Sequence, residues 1–85
     1  MRVHLRFFAS LREQLKTDRE TLELPKAVQT IGEVREYLRA RGGMWAEALA
    51  EGRALRVACN QQMSDASARF DDGAEIAFFP PVTGG

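Results

Sequence analysis

Apolar and polar residues alternate over three segments of the chain, and a fourth segment is apolar at almost every position. Alternation is typical of a strand with one buried face, whereas apolar residues at every third or fourth position indicate an amphipathic helix. Two further segments show this helical spacing. We therefore predict strands at residues 2–7, 19–24, 55–59 and 74–79, and helices at residues 10–16 and 30–41.

Two tetrapeptides match the capping-box pattern that starts many helices, namely Ser10-Leu11-Arg12-Glu13 and Thr30-Ile31-Gly32-Glu33. Each is expected to begin a helix, and Gly42-Gly43 is expected to end the second and longer one. The apolar positions of the two helices are Phe8, Leu11 and Leu15, and Ile31, Val34 and Leu38. The opposite face of the longer helix is predicted to be solvated, and it comprises Glu33, Arg35, Glu36, Arg39 and Arg41.

The connecting segments have weaker patterns, but each still carries an expectation. We predict one or two extra helical turns at residues 44–50, where Trp45 and Leu49 would cover the open end of the core. Turns are predicted at residues 60–62 and 71–73, because Asn, Asp and Gly tolerate the backbone conformations that turns need. Residues 63–69 are expected to form a short edge strand and a loop.

The last predicted strand is apolar on both faces, which is typical of a strand inside a sheet. If the first and last strands pair at the centre and the main helix crosses one face, the fold is α+β of the β-grasp, ubiquitin-like kind. The expected sheet is mixed, with four to five strands. Residues 1–79 would form this domain, and residues 80–85 would form a flexible tail.

The composition excludes several classes of function. The chain has 85 residues, enough for one domain, and its 12 basic and 12 acidic residues cancel, which argues against nucleic acid as a partner. The sequence contains no apolar run long enough to span a membrane and no leader pattern, so we expect a cytoplasmic protein. One Cys and one His provide neither a disulfide framework nor a set of metal ligands.

Charge is distributed unevenly along the chain. After Arg56 the only cation is Arg69, whereas several acidic residues follow. We therefore expect a partner of the chain end to present a basic surface. Of the two single reactive side chains, Cys59 is expected to be a buried, inert thiol and His4 to point outward without a chemical role.

The end of the sequence is the strongest candidate for a functional segment. It reads Phe79-Pro80-Pro81-Val82-Thr83-Gly84-Gly85. The prolines fix φ, Val82 offers an apolar anchor, and the two glycines fit a channel that is too narrow for any side chain. We therefore predict that Phe79, Pro80, Pro81, Val82, Thr83 and Gly84 bind partners as an extended segment.

The Gly85 α-carboxylate is the group that this tail would present. Its reference pKa of about 3.3–3.7 means that it is ionised at neutral pH. A carboxylate can attack a phosphate of ATP but is itself unreactive, so it must first become a mixed anhydride such as an acyl-adenylate. The chain has no phosphate-binding Gly-x-x-x-x-Gly-Lys loop and no plausible catalytic triad. Another protein is therefore expected to activate Gly85.

The segment from Asp71 to Gly85 resembles the end of the small, sulfur-carrying subunit of molybdopterin synthase, a family of ubiquitin-like β-grasp proteins. The resemblance extends to Phe7-Phe8-Ala9-Ser10-Leu11-Arg12-Glu13 and to the order of elements. It implies that an E1-like enzyme uses ATP to adenylate Gly85 and that a sulfur donor converts it to a thiocarboxylate. The large subunit would then build the dithiolene of molybdopterin within a two-plus-two heterotetramer. The chain would be a carrier that holds no cofactor stably.

Two alternatives remain open at the level of sequence. The chain resembles sulfur carriers of other pathways, such as the thiamine-pathway protein, although Pro80-Pro81 favours the molybdopterin family. A ubiquitin-like modifier joined to lysines of other proteins would also need a terminal Gly-Gly. The identity of the large subunit that co-purifies with the chain would distinguish between the two sulfur-carrier pathways. Gly-Gly remnants on the lysines of target peptides would instead identify a protein modifier.

Overall fold

A computed structural model describes residues 1–81. In this part of the chain, strands and helices follow the order β1 (Arg2–Phe7), α1 (Ala9–Leu15), β2 (Arg19–Glu23), α2 (Ile31–Arg39), α3 (Gly43–Ala48), β3 (Arg56–Cys59), β4 (Gln62–Ser64) and β5 (Glu75–Phe79). All the predicted strands and both predicted helices are present, with differences of a few residues at their ends. The short edge strand is β4.

The five strands form one mixed sheet in the order β2-β1-β5-β3-β4. The two central strands, β1 and β5, are parallel, while every other neighbouring pair is antiparallel. The prediction that the first and last strands pair at the centre is confirmed. The apolar sequence of β5 fits this position, since Ile76, Ala77 and Phe78 are all buried. The architecture is the expected α+β fold of the β-grasp, ubiquitin-like kind.

The core lies between the sheet and α2. Ile31, Val34 and Leu38 of α2 are at most 1% exposed, and they share one face as their spacing predicts. From the sheet, the core receives Val3, Leu5, Phe7, Ile76 and Phe78. We call this the inner face of the sheet. The opposite face, which α2 does not cover, is the outer face.

The N-terminus of α2 forms the predicted capping box. Thr30 Oγ1 accepts a hydrogen bond from the Glu33 N–H at 3.2 Å, and the Glu33 carboxylate accepts one from the Thr30 N–H at 3.0 Å. The same carboxylate also accepts a bond from the Gln29 N–H. These hydrogen bonds to its charged form hold the pKa of Glu33 below its usual value, with the bond from Gln29 as the largest cause.

The capping box predicted for α1 is wrong. The helix begins at Ala9, its N-cap is Phe8, and no side chain caps it. An N-cap residue must have a non-helical backbone, but Ser10 already lies inside the first turn and therefore cannot act as the cap. Leu11 and Leu15 are buried as predicted, whereas Phe8 is 39% exposed and does not share their face.

The helix α3 closes one end of the core, as the apolar residues after Gly43 suggested. The rings of Trp45 and Phe7 meet edge to face at a centroid distance of 5.6 Å, and Leu49 is fully buried. The guanidinium of Arg41 lies over the Trp45 ring at 4.4 Å and is also bonded to the Glu20 carboxylate.

Arg35 does not belong to a solvated face, in contrast to the prediction. Its side chain is partly buried and donates hydrogen bonds to the backbone carbonyls of Leu49, Ala50 and Arg53. These carbonyls lie at or after the end of α3, where a helix no longer provides N–H donors. The Arg35 side chain donates hydrogen bonds to them instead. Helical periodicity could not reveal this contact, since it depends on how the segment after α3 folds back.

Candidate functional site

The segment that leads to the tail leaves the sheet beside the start of α1. Because β1 and β5 are parallel, their carboxyl ends lie at the same edge of the sheet, and Phe7 pairs with Phe78. The Phe8 N–H donates a hydrogen bond to the Phe78 carbonyl at 3.3 Å. The residues that follow the two strands, Phe8 and Phe79, are thereby brought together.

An aromatic pair with a cation marks the root of the tail. The Phe8 and Phe79 rings meet edge to face at a centroid distance of 6.4 Å, and the Arg6 guanidinium lies 5.2 Å from the centre of the Phe8 ring. Phe79, Pro80 and Pro81 are partly buried. Of the predicted partner-binding residues, these three are therefore placed at one sheet edge. Val82, Thr83, Gly84 and Gly85 lie outside the described residues, so their predicted roles stay predictions.

The aromatic pair continues into an apolar strip on the outer face of the sheet. The strand register places Arg6, Ala77 and Ala58 side by side, and Met63 follows on β4. The Met63 side chain is 61% exposed, which is unusual for a residue of its size and polarity. Ala77 is buried and Ala58 is partly buried, so Met63 provides most of the exposed apolar area of this strip.

The charged residues near the tail are not the acidic ones that directly precede β5 in the sequence. Asp72 lies at the start of β1 and β5, where its carboxylate accepts a hydrogen bond from the Arg2 N–H at 2.7 Å. A strand rises roughly 3.3 Å per residue, which puts this acidic end on the order of 15 Å from Phe79. The nearest charged partner in register with Phe79 is Arg56, and Arg6 lies beside Phe8. Two cations, Arg6 and Arg56, therefore lie near the tail root together with one carboxylate, Asp65, which lines a groove with Pro81, and this mixture weakens the reason for expecting a basic partner.

Cys59 lies on the inner side of β3 and packs against the core, although it is partly rather than completely buried. Burial raises the pKa of its thiol, and the negative charge of Asp71 adds to this effect. The thiol is therefore protonated at neutral pH and is a poor nucleophile. His4 is exposed and lies 3.1 Å from the Thr21 hydroxyl, so its predicted outward position is confirmed.

The described residues hold no cluster with catalytic chemistry of its own. Within residues 1–81, no group of three His, Cys, Asp or Glu side chains is placed to hold a metal ion. The helices of this region are also too short or too polar to cross a bilayer. What the site provides is a group of apolar and cationic side chains around Phe79, Pro80 and Pro81, which directly precede the last residues of the sequence.

Sequence reasoning missed Phe8 and Arg6 as members of this site. Phe8 was assigned to the apolar face of α1 because it precedes Leu11 by three residues. The sequence does contain a signal for the position of Phe8. Two Phe-Phe dipeptides, Phe7-Phe8 and Phe78-Phe79, each stand at the end of a strand. Once the two strands are paired in parallel, the second phenylalanine of each pair must lie side by side.

Comparison with known proteins shows extensive similarity. The model of the ThiS family matches residues 5–85. The molybdopterin synthase sulfur carrier subunit of Haemophilus influenzae is 44% identical over 79 residues, which cover 93% of this chain and 94% of that protein. The protein of the same name from Escherichia coli is 40% identical over 79 residues, with the same coverage of both chains.

A solved structure shares the whole architecture. It is the complex of subunits 1 and 2 of the molybdopterin-converting factor from Helicobacter pylori. The matched chain superposes with a TM-score of 0.67 and 26% identity, and the match covers 100% of both chains.

Proposed function

The chain belongs to the ThiS family, and from this membership we propose that it is the sulfur carrier of molybdopterin synthase, acting in molybdenum cofactor biosynthesis. The name shared by the two curated relatives supports the pathway. The structural observation that carries the proposal is the position of Phe79, Pro80 and Pro81. They lie where β5 ends, beside Phe8 and Arg6, so the start of the tail is next to apolar and cationic side chains.

The proposed chemistry takes place at Gly85. Its carboxylate oxygen attacks the α-phosphate of ATP on an E1-like enzyme, and pyrophosphate leaves from the resulting acyl-adenylate. A sulfur donor then supplies sulfur to the acyl carbon, AMP leaves, and a thiocarboxylate remains. Thiocarboxylate sulfur is a softer nucleophile than carboxylate oxygen and is suited to forming carbon–sulfur bonds. The thiocarboxylate sulfur bonds to a carbon of the pterin precursor, and water then cleaves the acyl–sulfur bond, which leaves the sulfur on the pterin and regenerates the Gly85 carboxylate.

Apart from Gly85, the residues of this chain act in binding and presentation rather than in bond making. The outer-face strip and the Phe8–Phe79 pair supply apolar contact area, while Val82, Thr83, Gly84 and Gly85 reach the partner's active centre. The partner is proposed to be the large catalytic subunit, in a heterotetramer, and the cycle is placed in the cytoplasm. The solved Helicobacter pylori complex of two subunits supports a partner of this kind.

The proposal is tested by intact mass after incubation with an E1-like activating enzyme, ATP and a sulfur donor. We expect the mass to rise by the difference between one sulfur and one oxygen. The Cys59→Ala variant should show the same rise, since its protonated and partly buried thiol plays no part. A chain without Gly84 and Gly85 should show none.

Four outcomes would contradict the proposal. An unchanged mass with an enzyme of verified activity would remove the carrier chemistry, and loss of the rise in Cys59→Ala would move the sulfur to the thiol. Co-purification with a large subunit of a different pathway would assign the carrier to that pathway. Gly-Gly remnants on lysines of other proteins would favour a modifier instead.

A further inference from the structure

A groove with a volume of about 430 Å³ lies beside the root of the tail, between α2 and the β3–β4 end of the sheet. Its lining includes Ile31 and Phe78 from the core, Leu55 and Arg56, and Pro81. The volume lies within the ~300–1,000 Å³ range of sites that hold ligands or side-chain segments. The lining also includes Met63 of the outer-face strip, so the groove runs from the α2 side of the sheet to its β4 edge, where it meets that strip.

The helix wall of this groove is fixed by direct backbone contact. The Gly32 N–H donates a hydrogen bond to the Ala66 carbonyl at 2.8 Å, and the Ile31 N–H donates one to the Ala68 carbonyl at 3.0 Å. A Cβ atom at position 32 would lie 3.0 Å from the Ala66 oxygen, so only glycine allows the loop to approach this closely. A wall held in this way loses little freedom when a partner binds.

The charges of the groove favour an anionic occupant. Arg35 is held in place by the carbonyls of Leu49, Ala50 and Arg53, and Arg56 is exposed at the opposite side. The lining carboxylate, Asp65, accepts hydrogen bonds from the N–H and the hydroxyl of Ser67. Arg35 and Asp65 are therefore both engaged in internal hydrogen bonds, and the exposed Arg56 is the cation that can meet an occupant of this mainly apolar groove. A segment with an apolar side chain next to a carboxylate complements it.

We propose that this groove is a second docking site for the large subunit, which inserts an apolar side chain and an adjacent carboxylate beside Pro81. The inference rests on the proposed function, because it takes the large subunit as the partner. Pro81 lines the groove, so a protein that holds the residues after Pro81 necessarily passes its mouth. The large subunit would then contact the end of β5 from both sides of the sheet.

The test is the Kd between the large subunit and variants of the full chain. Arg56→Glu reverses one groove charge, and Ala66→Tyr fills the groove from an exposed position. Each should raise the Kd by roughly tenfold or more, since a reversed or blocked contact at a desolvated site is costly. The matched controls are Ala66→Ser, which leaves the groove open, and Lys26→Glu, which makes the same charge change at another surface beside Met1. Both controls should stay within about twofold of the original chain.

Ala66→Tyr decides between the outcomes, because Arg56 also borders the outer face. A normal Kd for Ala66→Tyr overturns the groove even if Arg56→Glu binds weakly. A weak Ala66→Tyr with a normal Arg56→Glu supports the groove but overturns its carboxylate occupant. If Ala66→Tyr lowers the unfolding midpoint, Ala54→Tyr on the opposite lip takes its place. Failure of the unsubstituted chain to bind the large subunit would instead remove the proposed function, and this inference with it.

Discussion

At the scale of single residues, the turn between β3 and β4 holds two side chains in an unusual backbone conformation. Asn60 and Gln61 have φ values of 50° and 68°, and Cys59 pairs with Gln62 across the turn. Two successive positive φ values define a two-residue hairpin turn for which Asn-Gly is the preferred sequence. Asn60 fits this turn and also accepts a hydrogen bond from the Glu75 N–H. Gln61 gains no such bond from its side chain among the described residues and carries the cost of the conformation alone.

We therefore predict that Gln61→Gly stabilises the fold. Glycine adopts positive φ without the clash of a Cβ atom, and the gain is expected to be about 0.5–1 kcal/mol after allowing for the greater freedom of the unfolded chain. For a domain of this size, that gain raises the unfolding midpoint by roughly 2–8 °C. Gln62→Gly is the matched control, because Gln62 lies in β4 and glycine there should destabilise. A lower midpoint for Gln61→Gly would show that the turn is not under this strain.

At the scale of elements, the capping box of α2 links helix stability to pH. The pKa of Glu33 is lowered in the folded state by its hydrogen bonds with Gln29 and Thr30. A carboxyl group with a lowered pKa adds stability above its unfolded pKa, and this contribution disappears as the pH falls through the folded value. The helix that covers the core is therefore weakened by acid at its N-terminus.

The corresponding prediction concerns Glu33→Gln, which keeps the hydrogen-bonding shape of the box but removes the charge. At pH 7 the variant should be less stable than the original chain in urea unfolding. The difference should shrink as the pH falls below about 4.3, the usual pKa of a glutamate, and should disappear once the pH is below the lowered pKa of Glu33 in the folded state. Glu36→Gln on the exposed side of the same helix serves as the control. A difference that does not change with pH would mean that the charge of Glu33 is not the cause.

The elements also show what the sequence could and could not predict. Strands and α2 were predictable, because alternation and helical spacing act through local geometry and a single buried face. The start of α1 was not, since the pairing of β1 with β5 decides where the chain turns and leaves Phe8 outside the core. The role of Arg35 was equally hidden, because its three acceptor carbonyls lie 14 to 18 residues further along the chain.

At the scale of the whole molecule, the order of charged residues along the sequence does not show which of them lie near the tail. Asp72 is close to the tail in sequence but lies at the other end of β5, whereas Asp65 lines the groove beside Pro81. The cations that surround the tail root come from β1 and β3, more than 20 residues before it. The proposal that Gly85 is the reactive group rests on the sequence alone, whereas the charges around Phe79 could be identified only from the sheet order.

This surface leads to a prediction about association rather than about the final complex. Arg6 lies at the outer face beside Phe8, so a partner that docks there should present acidic groups. Arg6→Glu should lower the association rate constant with the large subunit by roughly tenfold at low salt, because charge steers the approach of the two proteins. The rate should also lose most of its dependence on ionic strength, as stopped-flow measurements can show. Lys26→Glu should leave the rate unchanged, and a faster rate for Arg6→Glu would mean that the partner surface is basic.

The central position of β5 also bears on how the polypeptide is made. The sheet cannot close around its middle until residues 75–79 have left the ribosome, and they pair with residues synthesised about 70 positions earlier. Contacts of such long sequence separation form slowly and late. A nascent chain that stops short of Phe79 leaves β1 and β3 without their shared neighbour. The core is therefore completed only after translation has reached residue 79, which is six residues before Gly85, the proposed reactive residue.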